Sequence, residues 1–289
     1  MIYEYDLHNH SKDSFDCSTD GRKLINIVKD RGMKGIGICE HDNFPDESLK
    51  DYAKNKGIQL ALGIEFSCID SHIIGYNMKL SKSDEYNLKN IFTNFYKCHR
   101  QHGKELVSQL QNKGFKISEE EILQFSNKDI VTAIDIFRYF SEVRGNYSNW
   151  YETRKDFRKK RIFEPTKKEN KHFDPYEVID LIKRSNGVAI WAHPFLTRYK
   201  RQEYFRKFNP EDVYIEVCYP YVENGIQYDV DNKRLQTIVS QEAFQRGFCF
   251  SGGSDSHYPI KKHITGEPIC PGDFGLNYKN FQILNKLFN

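Results

Sequence analysis

The chain has 289 residues, 38% hydrophobic and 29% charged, so it is long enough for a large core and does not have the composition of a disordered protein. Its 43 basic and 40 acidic residues leave a formal net charge of +3, which is too small to predict a nucleic-acid or membrane partner. The seven cysteines form no C-x-x-C pair, which argues against a zinc ribbon or a disulfide framework.

The chain opens with alternating apolar and polar residues, which predict a strand over residues 2–10. His8 and His10 stand two apart near its end, so their side chains project from one face and form half of a metal site. A single His-x-His pair also occurs at strand ends by accident. Because no targeting segment or long apolar run is recognisable, and the cysteines suit a reducing compartment, we expect a cytoplasmic protein without a membrane partner.

The next segments alternate between helix and strand. Periodic apolar positions predict helices over residues 22–31 and 46–56 and strands over residues 35–39, 59–66 and 71–78. The first of these elements form a βαβ unit, which implies parallel strands with the helix packed outside. Candidate ligands again stand at strand ends, namely His41, Glu65 and His72.

The character of the sequence changes over residues 83–171. Helical periodicity recurs over residues 86–113, 119–125, 134–143 and 150–160 without strand alternation. We interpret this stretch as an inserted helical cap subdomain between two parts of a barrel domain, residues 1–82 and 172–289. Its aromatic side chains could form the core of the insertion or stack on a substrate, and a purely structural role stays open.

The alternation of strands and helices then resumes. The predicted elements are helices over residues 176–184, 231–246 and 280–288 and strands over residues 187–191, 213–217 and 248–250. Candidate ligands follow at least five strands. In an open sheet such residues gather at one switch point, whereas a closed α/β barrel brings all strand ends together, so we predict a barrel.

The strand-end residues supply nitrogen and oxygen donors, which suit divalent ions such as Zn, Mn or Fe. Because one ion takes four to six ligands, part of them water, nine protein donors indicate two or three neighbouring ions. Such ions activate water and favour hydrolysis, with phosphate esters as natural substrates. The nine candidate metal ligands are His8, His10, Asp16, His41, Glu65, His72, His193, Asp255 and His257.

Five motifs in this order resemble the PHP (polymerase and histidinol phosphatase) superfamily. They are Asp6-Leu7-His8-Asn9-His10-Ser11, Glu40-His41-Asp42, Gly63-Ile64-Glu65, Ala192-His193-Pro194 and Ser254-Asp255-Ser256-His257. The resemblance implies an α/β fold, a distorted (β/α)7 TIM-like barrel with the insertion as a cap. It also implies a phosphoesterase that hydrolyses a phosphomonoester or small phosphodiester by a metal-bridging hydroxide at a trinuclear centre.

Carried onto this sequence, the resemblance distributes the ligands over three ions. His8, His10, Glu65 and Asp255 would hold the first; Glu65, His72 and His193 the second; and Asp16, His41 and His257 the third. Asp20, before Gly21, is an alternative to Asp16. Glu65, His193 and Asp255 are the predicted catalytic residues, and Glu40 and Asp42 are expected to orient ligands or form caps.

Substrate recognition requires cations beyond the metals, and we select Arg138, Arg158 and Arg198 as candidates. The insertion resembles that of a PHP subgroup acting on nucleotides and short RNA, although Ala133 and Asp135 stand where those relatives have Arg and His. We therefore expect a small phosphorylated substrate, with a nucleotide or a short oligonucleotide among the candidates. A 5′-3′ exoribonuclease or 3′,5′-bisphosphate nucleotidase is the alternative, and no obligate protein partner is evident.

Two further hypotheses belong to other classes. A barrel could retain metals for stability or partner binding without turnover, although a complete ligand set argues against this. An amidohydrolase-like enzyme acting on C–N bonds would also use strand-end His and Asp ligands. No lysine stands at a predicted strand end suited to a carbamate bridge, which disfavours that second hypothesis.

Overall fold

A computed structural model of the chain describes residues 2–164, 173–197, 199–223, 231–261, 267–277 and 282–288. The chain forms two compact units. The first contains the sheet and comprises Met1–Glu85 and His172–Asn289, and the second is the helical unit Tyr86–Lys171.

Seven strands form one sheet in chain order, each hydrogen-bonded to the next. They are β1 (Tyr5–Asn9), β2 (Gly35–His41), β3 (Gln59–Cys68), β4 (Ser71–Tyr76), β5 (Val188–Ala192), β6 (Val213–Cys218) and β7 (Phe250–Gly252). Asn9 forms a parallel bridge with Ser256, which follows β7, and the His10 backbone N–H donates to the Ser256 carbonyl at 3.0 Å. The sheet is thus a nearly closed barrel, which confirms the predicted fold class.

β4 is the strand that distorts the barrel. It pairs antiparallel with both β3 and β5, whereas the other neighbouring strands are parallel. Only Ile69 and Asp70 join β3 to β4, and two residues can form a hairpin but cannot form a crossover helix. The parallel pairing implied by the first βαβ unit therefore does not extend to β4. Because β4 runs backwards, its first residues, including His72, lie at the edge where the parallel strands end.

Tyr76 fills the barrel interior beneath that edge. A Cβ on Gly37 would lie 2.5 Å from the Tyr76 Oη, and a Cβ on Gly63 would lie 2.6 Å from the Tyr76 Cδ1, so both strands need glycine here. The Tyr76 hydroxyl donates to the Leu7 carbonyl at 2.9 Å. The interior below the candidate site is therefore a packed core, not an open channel.

Helices cover the barrel and build the insertion. They are α1 (Gly21–Asp30), α2 (Leu49–Lys56), α3 (Lys82–Asn112), α4 (Glu119–Ser126), α5 (Ala133–Arg138), α6 (Trp150–Lys159), α7 (Pro175–Arg184), α8 (Arg201–Lys207), α9 (Asn232–Gln245) and α10 (Gln282–Phe288). The sequence did not predict α8. Asp174 caps α7, accepting from the Tyr176 N–H at 2.8 Å. Among the described helices, none has the length and apolar composition that a membrane span requires.

The helical unit has its own hydrophobic core. Phe137, Phe140 and Phe157 are buried there, which confirms the core role for these aromatic residues. The helix predicted over residues 134–143 is not regular, because α5 is followed by a π-helix at Tyr139–Val143. A π-helix has i→i+5 backbone hydrogen bonds in place of the α-helical pattern, and such turns frequently occur at functional sites.

Candidate metal centre

The carboxyl edge of the barrel carries a cluster of imidazole and carboxylate side chains. Its members come from several strand ends and connections, and most are buried because these strand ends converge there. His8 and His10 project from β1 with their ring centroids 5.2 Å apart. The predicted ligands that the structure brings together are His8, His10, Asp16, His41, Glu65, His72, His193, Asp255 and His257.

Glu65 lies at the centre of the cluster and is fully buried. Its two oxygens face separate sets of imidazole nitrogens. Around Oε2 these are His8 Nε2 at 3.2 Å, His10 Nε2 at 3.1 Å and His41 Nδ1 at 3.3 Å. Around Oε1 they are His72 Nδ1 at 2.9 Å and His193 Nε2 at 3.0 Å. A carboxylate with this arrangement can bridge two ions.

Asp255 also presents its oxygens to different surroundings. The distances from Oδ1 are 3.2 Å to His10 Nε2, 3.4 Å to His257 Nδ1 and 3.6 Å to His8 Nε2. Oδ2 accepts hydrogen bonds from the Tyr219 hydroxyl at 2.6 Å and from the Lys261 ammonium. In the described contacts, the imidazoles therefore approach Asp255 at Oδ1.

Asp16, rather than Asp20, joins the third group of donors. The Asp16 Oδ2 lies 3.1 Å from His257 Nε2 and 3.6 Å from His41 Nε2. Asp20 instead accepts from the Arg22 N–H at 2.8 Å at the start of α1 and pairs with Lys12. An exposed helix cap of this kind is already satisfied without a metal.

The donor atoms overlap in sets in which all lie within 4.8 Å of one another. The sets are His8, His10, Glu65 and Asp255; His41, Glu65 and His72; His10, His41 and His257; and His8, His10 and Cys39. In the described ranges, three buried atoms here have no hydrogen-bond partner, namely His10 Nε2, His257 Nε2 and Asp16 Oδ1. Because buried polar atoms normally have partners, these atoms fit ligands of divalent ions.

The electrostatics of the cluster keep its carboxylates ionised. Burial raises the pKa of Glu65, but the surrounding imidazoles, that of His8 among them, outweigh burial and hold it well below its usual range. Burial lowers the pKa of His10, but Asp255 and Glu65 reverse that effect and raise it to about 9. Burial lowers the pKa of His41 to about 3, so this imidazole is neutral and has a lone pair for a metal.

Comparison with known families identifies the fold. A model of the PHP domain family matches residues 6–218, which is more than half of the chain. The chain belongs to the PHP domain family. A search of curated protein sequences finds no match.

Solved structures resemble this PHP domain protein at low sequence identity, which establishes the shared fold alone. One is a Bifidobacterium adolescentis protein, provisionally assigned as a metal-dependent phosphoesterase, with 21% identity, a TM-score of 0.67 and coverage of 96% of this chain and 93% of the other. Another is an amidohydrolase from Chromobacterium violaceum, solved with sulfate and without metal, with 20% identity, a TM-score of 0.71 and coverage of 98% and 95%.

Sequence reasoning missed the residues that hold the cluster in place in this PHP domain. Glu216 is buried in β6, accepts from the His193 backbone N–H at 2.8 Å and lies 3.0 Å from His8 Nδ1. That contact leaves His8 Nε2 for the cluster. The available signal was a lone carboxylate in the apolar strand Val213–Cys218. Tyr219 and Lys261 were missed too.

Glu40 and Asp42 support the cluster indirectly. Glu40 accepts from the Ser11 hydroxyl at 2.6 Å and from the Ser14 hydroxyl at 2.5 Å, and the Ser14 Oγ lies 3.2 Å from His10 Nδ1. Asp42 accepts from the Ser67 N–H at 2.9 Å. Glu40 therefore orients a predicted ligand through a serine, whereas Asp42 fastens the end of β2 to β3.

Unusual backbone conformations also occur at this edge. Asp42, His193 and Asp255 have φ values of 44°, 33° and 48°, a region that side-chain-bearing residues rarely adopt. Each such residue costs on the order of 1–3 kcal/mol and persists where the surrounding structure fixes it, typically at functional sites. Of these residues, His193 directly follows β5 and Asp255 lies three residues after the end of β7, and both side chains face the cluster.

The three predicted substrate arginines are not part of the described cluster contacts. Arg138 forms two hydrogen bonds of 3.1 Å with Glu142 and lies over the Phe125 ring, 5.1 Å from its centroid. Arg158 is exposed on α6. Arg198 lies outside the described residues. A role in binding substrate stays a prediction for all three.

Proposed function

We propose that this protein is a metal-dependent phosphoesterase that hydrolyses a phosphomonoester or small phosphodiester at a centre of two to three divalent ions. The observation that carries the proposal is Glu65. Its two buried oxygens face separate sets of imidazoles, which is the arrangement that a carboxylate bridging two ions requires.

The surrounding donors support a third ion. Asp16 and His257 contact one another directly at 3.1 Å, and the ligand atoms of His10, His41 and His257 lie within 4.8 Å of one another. The set consists mainly of imidazole and carboxylate groups, which favours Mn, Zn or Fe over a thiolate-bound structural zinc. Cys39 is near His8 and His10, but burial raises the pKa of its thiol, which disfavours the thiolate.

Divalent ions bound here would polarise a phosphoryl oxygen and activate water for attack on phosphorus. The chain's own residues would hold and orient the groups that bind these ions. Glu65 joins the two sets of imidazoles, Asp255 directs one oxygen into them, and Glu216 orients His8 and the His193 backbone. His193 points its Nε2 at Glu65, and with Asp255 these are the residues we propose as catalytic.

The two structural neighbours add support of different kinds. The provisional phosphoesterase assignment of the Bifidobacterium protein agrees with the proposal. The Chromobacterium structure holds sulfate, a tetrahedral anion of the same shape as phosphate, although that protein is named an amidohydrolase. Hydrolysis of C–N bonds is therefore the competing activity, and amide substrates belong in the test.

A nucleotide or short-RNA substrate is the second candidate, suggested by the resemblance of the insertion. The geometry of the insertion supports it less well. Asp135, in place of a phosphate-facing histidine, is buried and accepts from the Thr132 hydroxyl at 2.7 Å and contacts the Lys128 ammonium at 2.6 Å. Arg138 is paired with Glu142. A small phosphoester therefore remains the leading substrate class.

The experiment is to purify the protein without chelator, measure bound metals by elemental analysis, and assay Mn- and Zn-loaded samples. The panel contains p-nitrophenyl phosphate, its bis-ester, a 5′-phosphorylated oligonucleotide and an amide substrate. We expect two to three metal equivalents and phosphoester turnover that Glu65→Gln abolishes. Exclusive amide turnover would replace the proposal with the competing activity, and the absence of both metal and turnover would refute it.

A further inference from the structure

The two oxygens of Asp255 have separate roles in the described structure. Oδ1 faces the imidazoles of His8, His10 and His257 at 3.2 to 3.6 Å. Oδ2 is bound instead by two protein donors, the Tyr219 hydroxyl and the Lys261 ammonium. An unrestrained carboxylate rotates about its terminal torsion, since that torsion is broad and roughly two-fold, so these donors select one orientation.

Lys261 is built into the site rather than lying on the surface. Its side chain is 17% exposed, against 61% for Lys207 in its pair with Glu203. Lys261 donates a second hydrogen bond to the Asp255 carbonyl at 3.2 Å. The turn after β7 returns Lys261 to Asp255, because its backbone N–H donates to the His257 carbonyl at 3.2 Å.

Tyr219 approaches the same oxygen from a different strand. It follows β6 and is fully buried, and its ring lies against the His193 ring with centroids 5.0 Å apart. Its hydroxyl donates to the Asp255 Oδ2 at 2.6 Å. One donor thus comes from the end of β6 and the other from the turn after β7, and both act on a single oxygen.

We propose that Tyr219 and Lys261 are positioning residues that hold the Asp255 Oδ2, so that Asp255 offers only Oδ1 to an ion. This inference rests on the proposed metal-dependent function and identifies two residues that support it. Partners of metal ligands fix the ligand's orientation, and their loss typically weakens metal affinity by about 10–100-fold.

The test compares Tyr219→Phe and Lys261→Met with matched controls in the full chain. Tyr204→Phe removes a buried tyrosine's hydrogen bond to the Ile69 carbonyl, and Lys207→Met removes an exposed lysine's ion pair. Mn²⁺ affinity is measured by competition with a chelator, and the melting temperature of the metal-free protein is measured in EDTA. We expect each site variant to weaken Mn²⁺ binding by about 10–100-fold while the controls bind like the wild type.

Two further measurements separate positioning from general destabilisation. Lys261→Arg retains the positive charge and should restore most of the affinity. The double variant Tyr219→Phe/Lys261→Met should lose less Mn²⁺ affinity than the product of the two single-variant fold losses, because both donors act on one oxygen. Wild-type affinity in both single variants, or equal losses in the controls, would overturn the inference. A wild-type protein without metal would instead reject the proposed function.

Discussion

Replacing Glu65 should remove two ions, whereas replacing Asp16 should remove one. Glu65 has imidazole partners on both oxygens, but Asp16 contacts only His41 and His257 in the described ranges. Glu65→Gln and Asp16→Asn keep the shape of each side chain and remove its charge. The two variants therefore report how many ions each carboxylate serves.

The expected loss of metal affinity in each variant follows from the number of donors that hold an ion. A four-donor zinc site contributes about 10–16 kcal/mol, so one donor is worth about 2.5–4 kcal/mol, or roughly 10²- to 10³-fold in Kd. Glu65→Gln should impose that loss on two ions at once. Asp16→Asn should impose it on one and leave the other two near wild-type affinity.

The assay is metal content by elemental analysis after equilibration at a fixed free Mn²⁺ concentration, together with chelator competition. Glu47→Gln is a suitable control, because its side chain is 70% exposed and its partner is the surface residue Lys50. The bridging role of Glu65 would be refuted if Glu65→Gln lost no more metal than Asp16→Asn, or if both variants kept the full wild-type content.

Three further predictions concern residues that sequence reasoning did not select as ligands. Glu216→Gln should weaken Mn²⁺ binding by about 10–100-fold, measured by chelator competition, because it removes the carboxylate that orients a cluster histidine; unchanged affinity would contradict this. Phe157→Ala, in the core of the helical unit, should lower the free energy of unfolding in urea by about 3–5 kcal/mol. The control Phe244→Ala, at a side chain that is 76% exposed, should lower it by about 0.5 kcal/mol or less. Equal losses in the two variants would show that the helical core is not as described. Lys128→Met should lower the free energy of unfolding by about 3–5 kcal/mol, because it leaves the buried Asp135 charge unpaired. Adding Asp135→Asn to this variant should recover part of that loss in the same urea assay.

The strand-end ligands could be predicted because strand periodicity and parallel topology place such residues at one edge of the sheet. His8 and His10 needed only their spacing in β1. His72 was selected at the start of a predicted strand, but the antiparallel pairing of that strand was not predicted, since the length of the connection to β3 was not weighed. That connection shows why loop length should be read together with strand pattern.

The supporting residues could not be predicted, because their partners are distant in sequence. Glu216 meets His8 across 208 positions, and no local pattern links them. Lys261 stands beside Lys262 in the sequence, and only the turn after β7 determines that Lys261 faces Asp255. Asp16 was the preferred third-group carboxylate and Asp20 the alternative, and the hydrogen bond that makes Asp20 a helix cap separates the two.

The barrel closes where the first strand meets the segment after the last one. Asn9 pairs with Ser256, and three of the four donors proposed for the first ion, His8, His10 and Asp255, come from these two ends of the fold. Glu65 and His72 instead lie on a hairpin whose strands are adjacent in the chain. Contacts between positions that are distant in sequence form late in folding, because closing the loop between them costs conformational entropy before the contacts stabilise the fold. We therefore expect an early local hairpin to place Glu65 and His72, and His8, His10 and Asp255 to come together only at final closure of the barrel, where a bound ion would link the first strand to the segment after the last strand.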